Sequence, residues 1–267
     1  PQAVVIFMTA YADTDKAVRA IKAGATDFIP KPWEKEKLLA TLSSGMKLRR
    51  SRTEINLLKE QVEVLSNATA GGSEEIIIGD SPVMQQVFST VEKLRDTDAN
   101  ILILGENGTG KDVIARMLYR NSPRYGKPFV TIDLGSIPEQ LFESELFGYE
   151  KGAFTDARKA KVGRMEVATG GTLFLDEIGN LSLPMQAKLL TAIEKRCISR
   201  LGSTQATPID VRLICATNAD IRRLVDEGDF RQDLLYRINT IELHIPPLRE
   251  RGNDILLLAE YFLQRYA

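Results

Sequence analysis

The stretch GENGTGK, Gly105 to Lys111, has the make-up of a loop that cradles phosphates. Gly105, Gly108 and Gly110 free consecutive backbone N–H groups to turn toward phosphate oxygens, with Glu106, Asn107 and Thr109 between them. The loop follows the apolar run ANILIL and opens the helical pattern DVIARML, so a helix N-terminus adds positive partial charge. Lys111 can then bridge the terminal phosphates. Asp112 occupies the position where Ser or Thr commonly gives a hydroxyl to magnesium; its carboxylate either reaches the metal through water or serves the helix N-terminus. A second run, GTLFLDE, ends on Asp176 and Glu177. Asp176 suits a magnesium shell, through water, and Glu177 suits a base that orients and deprotonates a water for attack on a γ-phosphate. Thr217 and Asn218 end a third apolar run, VRLICA. Asn218 either hydrogen-bonds that water or the γ-phosphate, or simply ends a strand. Arg231 and Arg237 fall near the end of a predicted helix in GDFRQDLLYRINTIELHIPPLRER. They are either solvated ion-pair formers or charges reaching a neighbouring subunit's γ-phosphate.

These groups need a scaffold that gathers them. From Ala99 onward, strands alternate with helices: ANILILG, KDVIARMLYRNS, FVTIDL, EQLFESELFG, RKAKVGRMEVA, GTLFLDE, LPMQAKLLTAIEKR, VRLICATN and TIELHIP. Continuous apolar strands between helices predict a parallel sheet covered on both faces, whose carboxyl ends collect Gly105, Asp176 and Thr217–Asn218 around one ligand. The first residues read strand, helix, strand, helix (AVVIFMTAY, TDKAVRAIKAGA, TDFIP, WEKEKLLATL), half of a doubly wound domain. Between Lys47 and Leu65 a charged helix carries Ile55, Leu58, Val62 and Leu65 at coiled-coil spacing, which fits a short coiled coil or a solvated linker. SNATAGGSEE marks its end. The boundaries expected are 1–46, 47–75, 76–247 and 248–267, the last opening a new helical element. The chain starts in mid-strand and stops within a helix, the pattern of a piece of a longer protein.

Composition restricts the partners. Thirty-five Lys and Arg against 36 Asp and Glu leave a charge of −1, so no global field draws in nucleic acid or anionic membrane. Two cysteines, Cys197 and Cys215, without CxxC spacing, fit a reducing cytoplasm and exclude a disulfide framework or zinc site. The single histidine, His244, has no second histidine with which to build a relay. No apolar run is long enough to span a bilayer.

GAFTDA, Gly152 to Ala157, holds no nucleophile, base or metal ligand. By itself it reads as a surface turn whose Phe154 tucks into the core.

With GENGTGK, ELFGYEKGAFTDA, GGTLFLDEIGNL, ATNADI and FRQDLLYRINTIELHIPPLRER in this order, the chain from about Ile76 onward resembles the bacterial enhancer-binding proteins, AAA+ activators of sigma-54 RNA polymerase. The resemblance implies an AAA+ P-loop NTPase fold with the start of a helical lid, ATP and Mg2+ as cofactors, and a ring of six or seven subunits that is a dimer when inactive. It implies that Lys111 and its loop bind ATP, that Ile78 and Gly79 lie beside the adenine, and that Asp176 and Glu177 form the Walker B pair. Thr217 and Asn218 would be the first sensor, and Arg231 and Arg237 fingers acting in trans. Family members carry an acidic residue where Asp112 stands. Asp133 occupies the place of a switch asparagine; two ionised carboxylates, Asp133 and Glu177, would repel there. The family writes GAFTGA, a loop projecting from the ring to touch sigma-54, so Gly152, Ala153, Phe154, Thr155, Asp156 and Ala157 become contact residues between two helical stretches. Asp156 replaces the second glycine and brings a negative charge; Asp tolerates a left-handed backbone.

The first 45 or so residues resemble the second half of a flavodoxin-like response-regulator receiver. Thr9 and Phe28 match its switch residues, Lys31 its conserved-type lysine, and Lys31–Pro32 is expected to be cis. The phosphoacceptor aspartate is expected before residue 1. The function implied is an ATP-driven activator under two-component control, with a sensor histidine kinase and, through a further domain, DNA as partners. A nucleotide-binding scaffold and an AAA+ remodeller of another target are the alternatives.

Overall fold

The computed structural model describes residues 4–9, 14–70 and 78–266; for residues 14–17, 52–53, 56–57, 59–70 and 266 only the backbone is described. The chain divides into two compact units, Pro1–Glu60 and Gln61–Ala267.

In the first unit β1 (Ile6–Thr9), α1 (Thr14–Lys22), β2 (Asp27–Pro30) and the start of α2 (Lys35–Ala70) follow one another. β1 and β2 pair in parallel, with Thr9 opposite Pro30, and the Lys31 amide donates to the Thr9 carbonyl at 2.6 Å. Gly45 of α2 lies against Val4 and Ile6, where a Cβ would come within 3.0 Å of the Val4 side chain. The expected second receiver helix and the linker helix are one continuous α2, extending to Ala70. Residues 66–70 contain no Gly or Pro to break it; the glycine pair begins at 71. Ile55 and Leu58 are exposed, and the side chains of Val62 and Leu65 lie outside what is described, as do residues 71–77.

The second unit is built on a parallel sheet. Its elements are α3 (Pro82–Lys93), β3 (Ile101–Leu104), α4 (Lys111–Arg120), β4 (Phe129–Asp133), α5 (Glu139–Phe147), β5 (Gly148–Tyr149), β6 (Lys161–Val162), α6 (Arg164–Val167), β7 (Thr172–Asp176), α7 (Leu183–Lys195), β8 (Cys197–Ser199), β9 (Ala206–Pro208), β10 (Arg212–Thr217), α8 (Ile221–Glu227), α9 (Gln232–Ile238), β11 (Ile241–His244) and α10 (Asp254–Tyr266). The strand order is β11-β3-β10-β7-β4, every pairing parallel. Ile101, Ile103, Phe129, Phe174, Ile214 and Leu243 pack with Val87 and Val91 of α3 and Ile114 and Leu118 of α4. The alternate residues Leu102, Leu173, Leu175, Leu213 and Cys215 are also buried, and α9 packs on β10. Burial on both faces explains why the strands are continuously apolar rather than alternating.

Two stretches depart from the sequence-based expectation. Residues 158–168, expected as a helix, instead form β6, Gly163 and the single-turn α6. Gly163 crosses the backbone of Phe147 and Gly148 so closely that a Cβ would stand 2.3 Å from the Phe147 carbonyl carbon. Gly148 faces it with φ +75°. This crossing pairs β5 with β6 antiparallel, so GAFTDA caps a ribbon set between α5 and α6. The second is the hairpin β8–β9, whose strands of three residues are too short for an alternating pattern to reveal.

Candidate nucleotide site and projecting hairpin

The phosphate loop takes its shape from three glycines. Gly108 and Gly110 adopt φ +76° and +88°, where side chains are disfavoured, and Gly110 caps α4. At Gly105 a Cβ would come within 2.9 Å of Thr109 Oγ1. The Gly105 amide donates to the Thr217 carbonyl at 3.3 Å, and Thr109 Oγ1 donates to the Glu106 carbonyl at 2.8 Å. Lys111, 6% exposed, donates from Nζ to the carbonyls of Gly105 (3.1 Å) and Glu106 (3.4 Å) and lies 3.7 Å from Glu177 Oε1. Asn107 is exposed, and Asp112 is exposed in the first turn of α4, where a carboxylate faces the helix's positive end.

At the next strand ends, β7 leaves Asp176 in register beside Asp133 of β4. Glu177 follows in a left-handed conformation, φ 54° and ψ 46°, costly for a residue with a side chain. Its carboxylate faces Lys111, and the backbone amide of Asn218 approaches Oε2 at 3.4 Å. Thr217 is buried against Gly179, and its Oγ1 accepts from the Ala219 amide at 3.1 Å. Asp133 Oδ1 accepts from the Gly135 amide at 2.9 Å. A Cβ on Gly135 would meet Asn180, Asp133 and Glu177 together, so these three converge. Burial, then the neighbouring charges of Glu177 and Asp133, push the Asp176 carboxyl above its usual range, against the pull of the Glu177 amide and Lys111. Because the fold disfavours its ionised form, Asp176 contributes less stability as pH rises through that elevated value.

Asp176 is a hard oxygen donor in a site that favours added positive charge. Among the described residues no group of three His, Cys, Asp or Glu could hold an ion by itself. That donor set fits Mg2+, which keeps several waters and binds through one or two carboxylates plus substrate phosphates.

Arg231 and Arg237 are not part of this cluster. Arg231 is the N-cap of α9, at the helix's N-terminal end, and forms a bidentate pair with Asp233 at 3.0 and 2.7 Å. Arg237, in the last turn, pairs with Glu194 at 3.2 Å. Its carbonyl accepts from Asn100 Nδ2 at 2.9 Å, just before β3. The phosphate loop leaves the other end of β3, about 16 Å away at the usual strand rise.

Sequence reasoning missed three long-range contacts. Arg249 pairs with Glu106 of the phosphate loop through two bonds of 2.6 and 2.8 Å. Arg251 donates to the Thr109 carbonyl at 2.6 Å, and Asp254 accepts from residues 80–81, next to Ile78 and Gly79. Only spacing in the fold brings these residues together. His244 is exposed and 2.7 Å from Glu242. Cys197 and Cys215 are free thiols, and burial pushes Cys215 up to about 12. In the first unit Thr9 is buried, Phe28 is half-buried, Lys31 lies 5.8 Å over the Trp33 ring, and Lys31–Pro32 is cis.

The ribbon tip is a built turn. Gly152, at φ +85°, donates to the Ala157 carbonyl at 2.8 Å, and Ala157 is buried. Phe154 is 44% exposed and meets Tyr149 in an edge-on arrangement with the ring centroids 4.8 Å apart, so it neither enters the core nor stands free. Ala153 is half-buried, and Thr155 and Asp156 are exposed. Asp156 is not left-handed, so the turn does not require a glycine there. The ribbon's base is anchored by Arg200, 9% exposed, which grips Glu166 at 3.0 and 2.7 Å and Glu150 at 3.3 Å. The Leu201 amide donates to the Gly148 carbonyl at 2.9 Å. Glu166 is 4% exposed, so Arg200→Ala would leave a buried carboxylate unpaired. The expected cost is about 3–5 kcal/mol in urea unfolding, and Arg200→Met with Glu166→Leu should lose much less; equal losses would refute the ion-pair explanation.

A parallel sheet with a glycine phosphate loop at the end of one strand and carboxylates at the end of another defines an AAA+ P-loop NTPase fold. The chain belongs to the Sigma-54 interaction domain family, which it matches over residues 77–244, and residues 1–43 match the Response regulator receiver domain. It is 46% identical to the transcriptional regulatory protein ZraR of Klebsiella oxytoca over 267 residues, all of this chain and 58% of that protein. It is 43% identical to the DNA-binding transcriptional regulator NtrC of Salmonella typhimurium over 264 residues, 99% of this chain and 54% of that one. Among solved structures, NtrX from Brucella abortus in complex with ATP aligns with a TM-score of 0.67 and 31% identity, over 99% of this chain and 57% of that one. The chain thus spans a little over half the length of these relatives. Among the described residues no helix is long and apolar enough to cross a membrane.

Proposed function

We propose that this chain is the ATP-hydrolysing part of a transcriptional activator that remodels sigma-54 RNA polymerase to open promoter complexes, working as a ring of six or seven subunits. The observation that carries this reading is the convergence of Lys111, Asp176, Glu177 and Asn218 at neighbouring strand ends, within one unit that also presents the GAFTDA ribbon. The loop amides and Lys111 bind the phosphates of ATP, and Ile78 and Gly79 border the base. Asp176 would hold Mg2+ through water, and the ion supplies charge neutralisation on the phosphates when bound. Glu177 takes the proton from the attacking water, Asn218 and Thr217 sense the γ-phosphate, and Lys111 holds Glu177 in the meantime. Asp133 occupies the switch position. Arg231 and Arg237 act on the neighbouring subunit, since Arg237 lies at the far end of β3 from its own phosphate loop.

Phe154 and Thr155 are the contact points for sigma-54. In the longer polypeptide, a kinase would act on the receiver, DNA would be held by another domain, and a dimer would be the resting state. A nucleotide-binding scaffold without sigma-54 activity is the second reading, favoured by the exposed charge of Asp156 at the ribbon tip. Capture of sigma-54 by the chain held with ADP and aluminium fluoride separates the two readings.

A further inference from the structure

One short stretch, residues 246–254, grips both walls of the candidate nucleotide cleft. Arg251, almost wholly buried, donates from Nε to the Pro246 carbonyl at 2.9 Å and from Nη2 to the Thr109 carbonyl of the phosphate loop at 2.6 Å. The Asp254 amide donates to the Arg251 carbonyl at 3.1 Å. Asp254 begins α10, is 1% exposed, and spends its carboxylate on the segment that carries Gly79. Oδ1 accepts from the amides of Asp80 (2.7 Å) and Ser81 (2.9 Å), and Oδ2 from Ser81 Oγ (2.6 Å). Ser81 is the N-cap of α3, but its hydroxyl goes to Asp254 instead of capping the helix. Gly79 fits the space that remains: a Cβ there would stand 3.2 Å from Met84 and 3.4 Å from Asp254 Oδ2. Gln85 Nε2 fixes the Gly79 carbonyl at 3.0 Å.

A carboxylate sequestered from water is stable only when its lone pairs are filled. Here three donors fill them, all from a segment more than 170 residues away in sequence. The hydrogen bonds hold the Asp254 carboxyl below the usual range in spite of its burial. The linkage from Thr109 through Arg251 and Asp254 to Ser81 is therefore continuous. We propose that Asp254 is a positioning residue that fixes the Gly79–Ser81 segment as the base-side wall of the nucleotide site, with Arg251 tying the same root of α10 to the phosphate wall. A shift of α10 then moves both walls together. The proposal rests on the nucleotide reading above and adds to it the residues that set the distance between the walls.

Inorganic tripolyphosphate serves as a probe that engages only the phosphate wall, and ATP as one that engages both. Calorimetric titration of the 267-residue chain and its variants measures each affinity. Asp254→Ala should weaken ATP binding by at least about tenfold, the size expected for lost hydrogen bonds to a charged group, and leave tripolyphosphate within about twofold. Asp254→Asn keeps an oxygen for the two amides and should recover part of the ATP affinity while folding normally. Arg251→Met should weaken both ligands. Equal loss of both ligands in the Asp254 variants, or loss of neither, would overturn the proposal. If Asp254→Ala does not fold, Asp254→Asn decides: an unchanged ratio of ATP to tripolyphosphate affinity overturns it. A wild-type chain that binds tripolyphosphate as tightly as ATP would also overturn it. One that binds neither would refute the nucleotide reading itself.

Discussion

Glu177→Gln is expected to reduce ATP turnover by about 100- to 10,000-fold, the range for removing a general base, while ATP affinity changes little. The geometry separates the two effects. In the proposed function ATP affinity rests on the loop amides and Lys111, whose Nζ keeps its bonds to the Gly105 and Glu106 carbonyls without Glu177. Turnover, in the same proposal, rests on a carboxylate aimed by a left-handed backbone, faced by Lys111 and by the Asn218 amide. Glutamine preserves that shape and removes only the basicity. Alanine at this position would add a conformational change. The measurement is steady-state phosphate release together with equilibrium binding of a fluorescent ATP analogue; parallel loss of binding and turnover would reassign Glu177 to the binding of nucleotide.

Arg231→Ala and Arg237→Ala should each lower turnover by up to about 1,000- to 100,000-fold, as arginine fingers do in related phosphoryl transfers. In the single chain both guanidiniums are held by carboxylates, Asp233 and Glu194. Both ion pairs are exposed, so solvent and salt screen them, and exchanging them for a neighbour's phosphate costs little. Arg237 also sits at the wrong end of β3 to serve its own site. Turnover per chain should therefore rise with protein concentration. Mixing Arg237→Ala with Glu177→Gln should restore part of the activity, since one variant supplies the base and the other the arginine. No restoration on mixing would place the arginines in structural roles.

Much of this site is legible in the sequence, because its parts are local. GENGTGK, the ends of β7 and β10, and the parallel sheet each follow from a few adjacent residues, and the sheet register brings Asp133, Asp176 and Thr217 to one edge. Contacts between distant residues were not legible. Nothing near Asp254 in the sequence announces Ser81 as its partner, and nothing near Glu106 announces Arg249. The β5–β6 ribbon beneath GAFTDA is not legible for another reason. RKAKVGRMEVA has helical composition, but Gly163 is there for a backbone crossing at Gly148, and a tertiary contact overrides propensity. Asp156 tolerates a left-handed backbone, but the turn makes no such demand there; what it contributes is charge.

The most direct measurement of the central claim is capture of sigma-54 by this chain in different nucleotide states. With ADP and aluminium fluoride the chain should bind sigma-54. Binding should be absent with ADP alone and lost in Phe154→Ala, which removes the half-exposed ring without touching the phosphate loop. Sigma-54 binding that is independent of nucleotide, or no binding in any state while ATP is still hydrolysed, would contradict the claim that this ATPase drives sigma-54 polymerase.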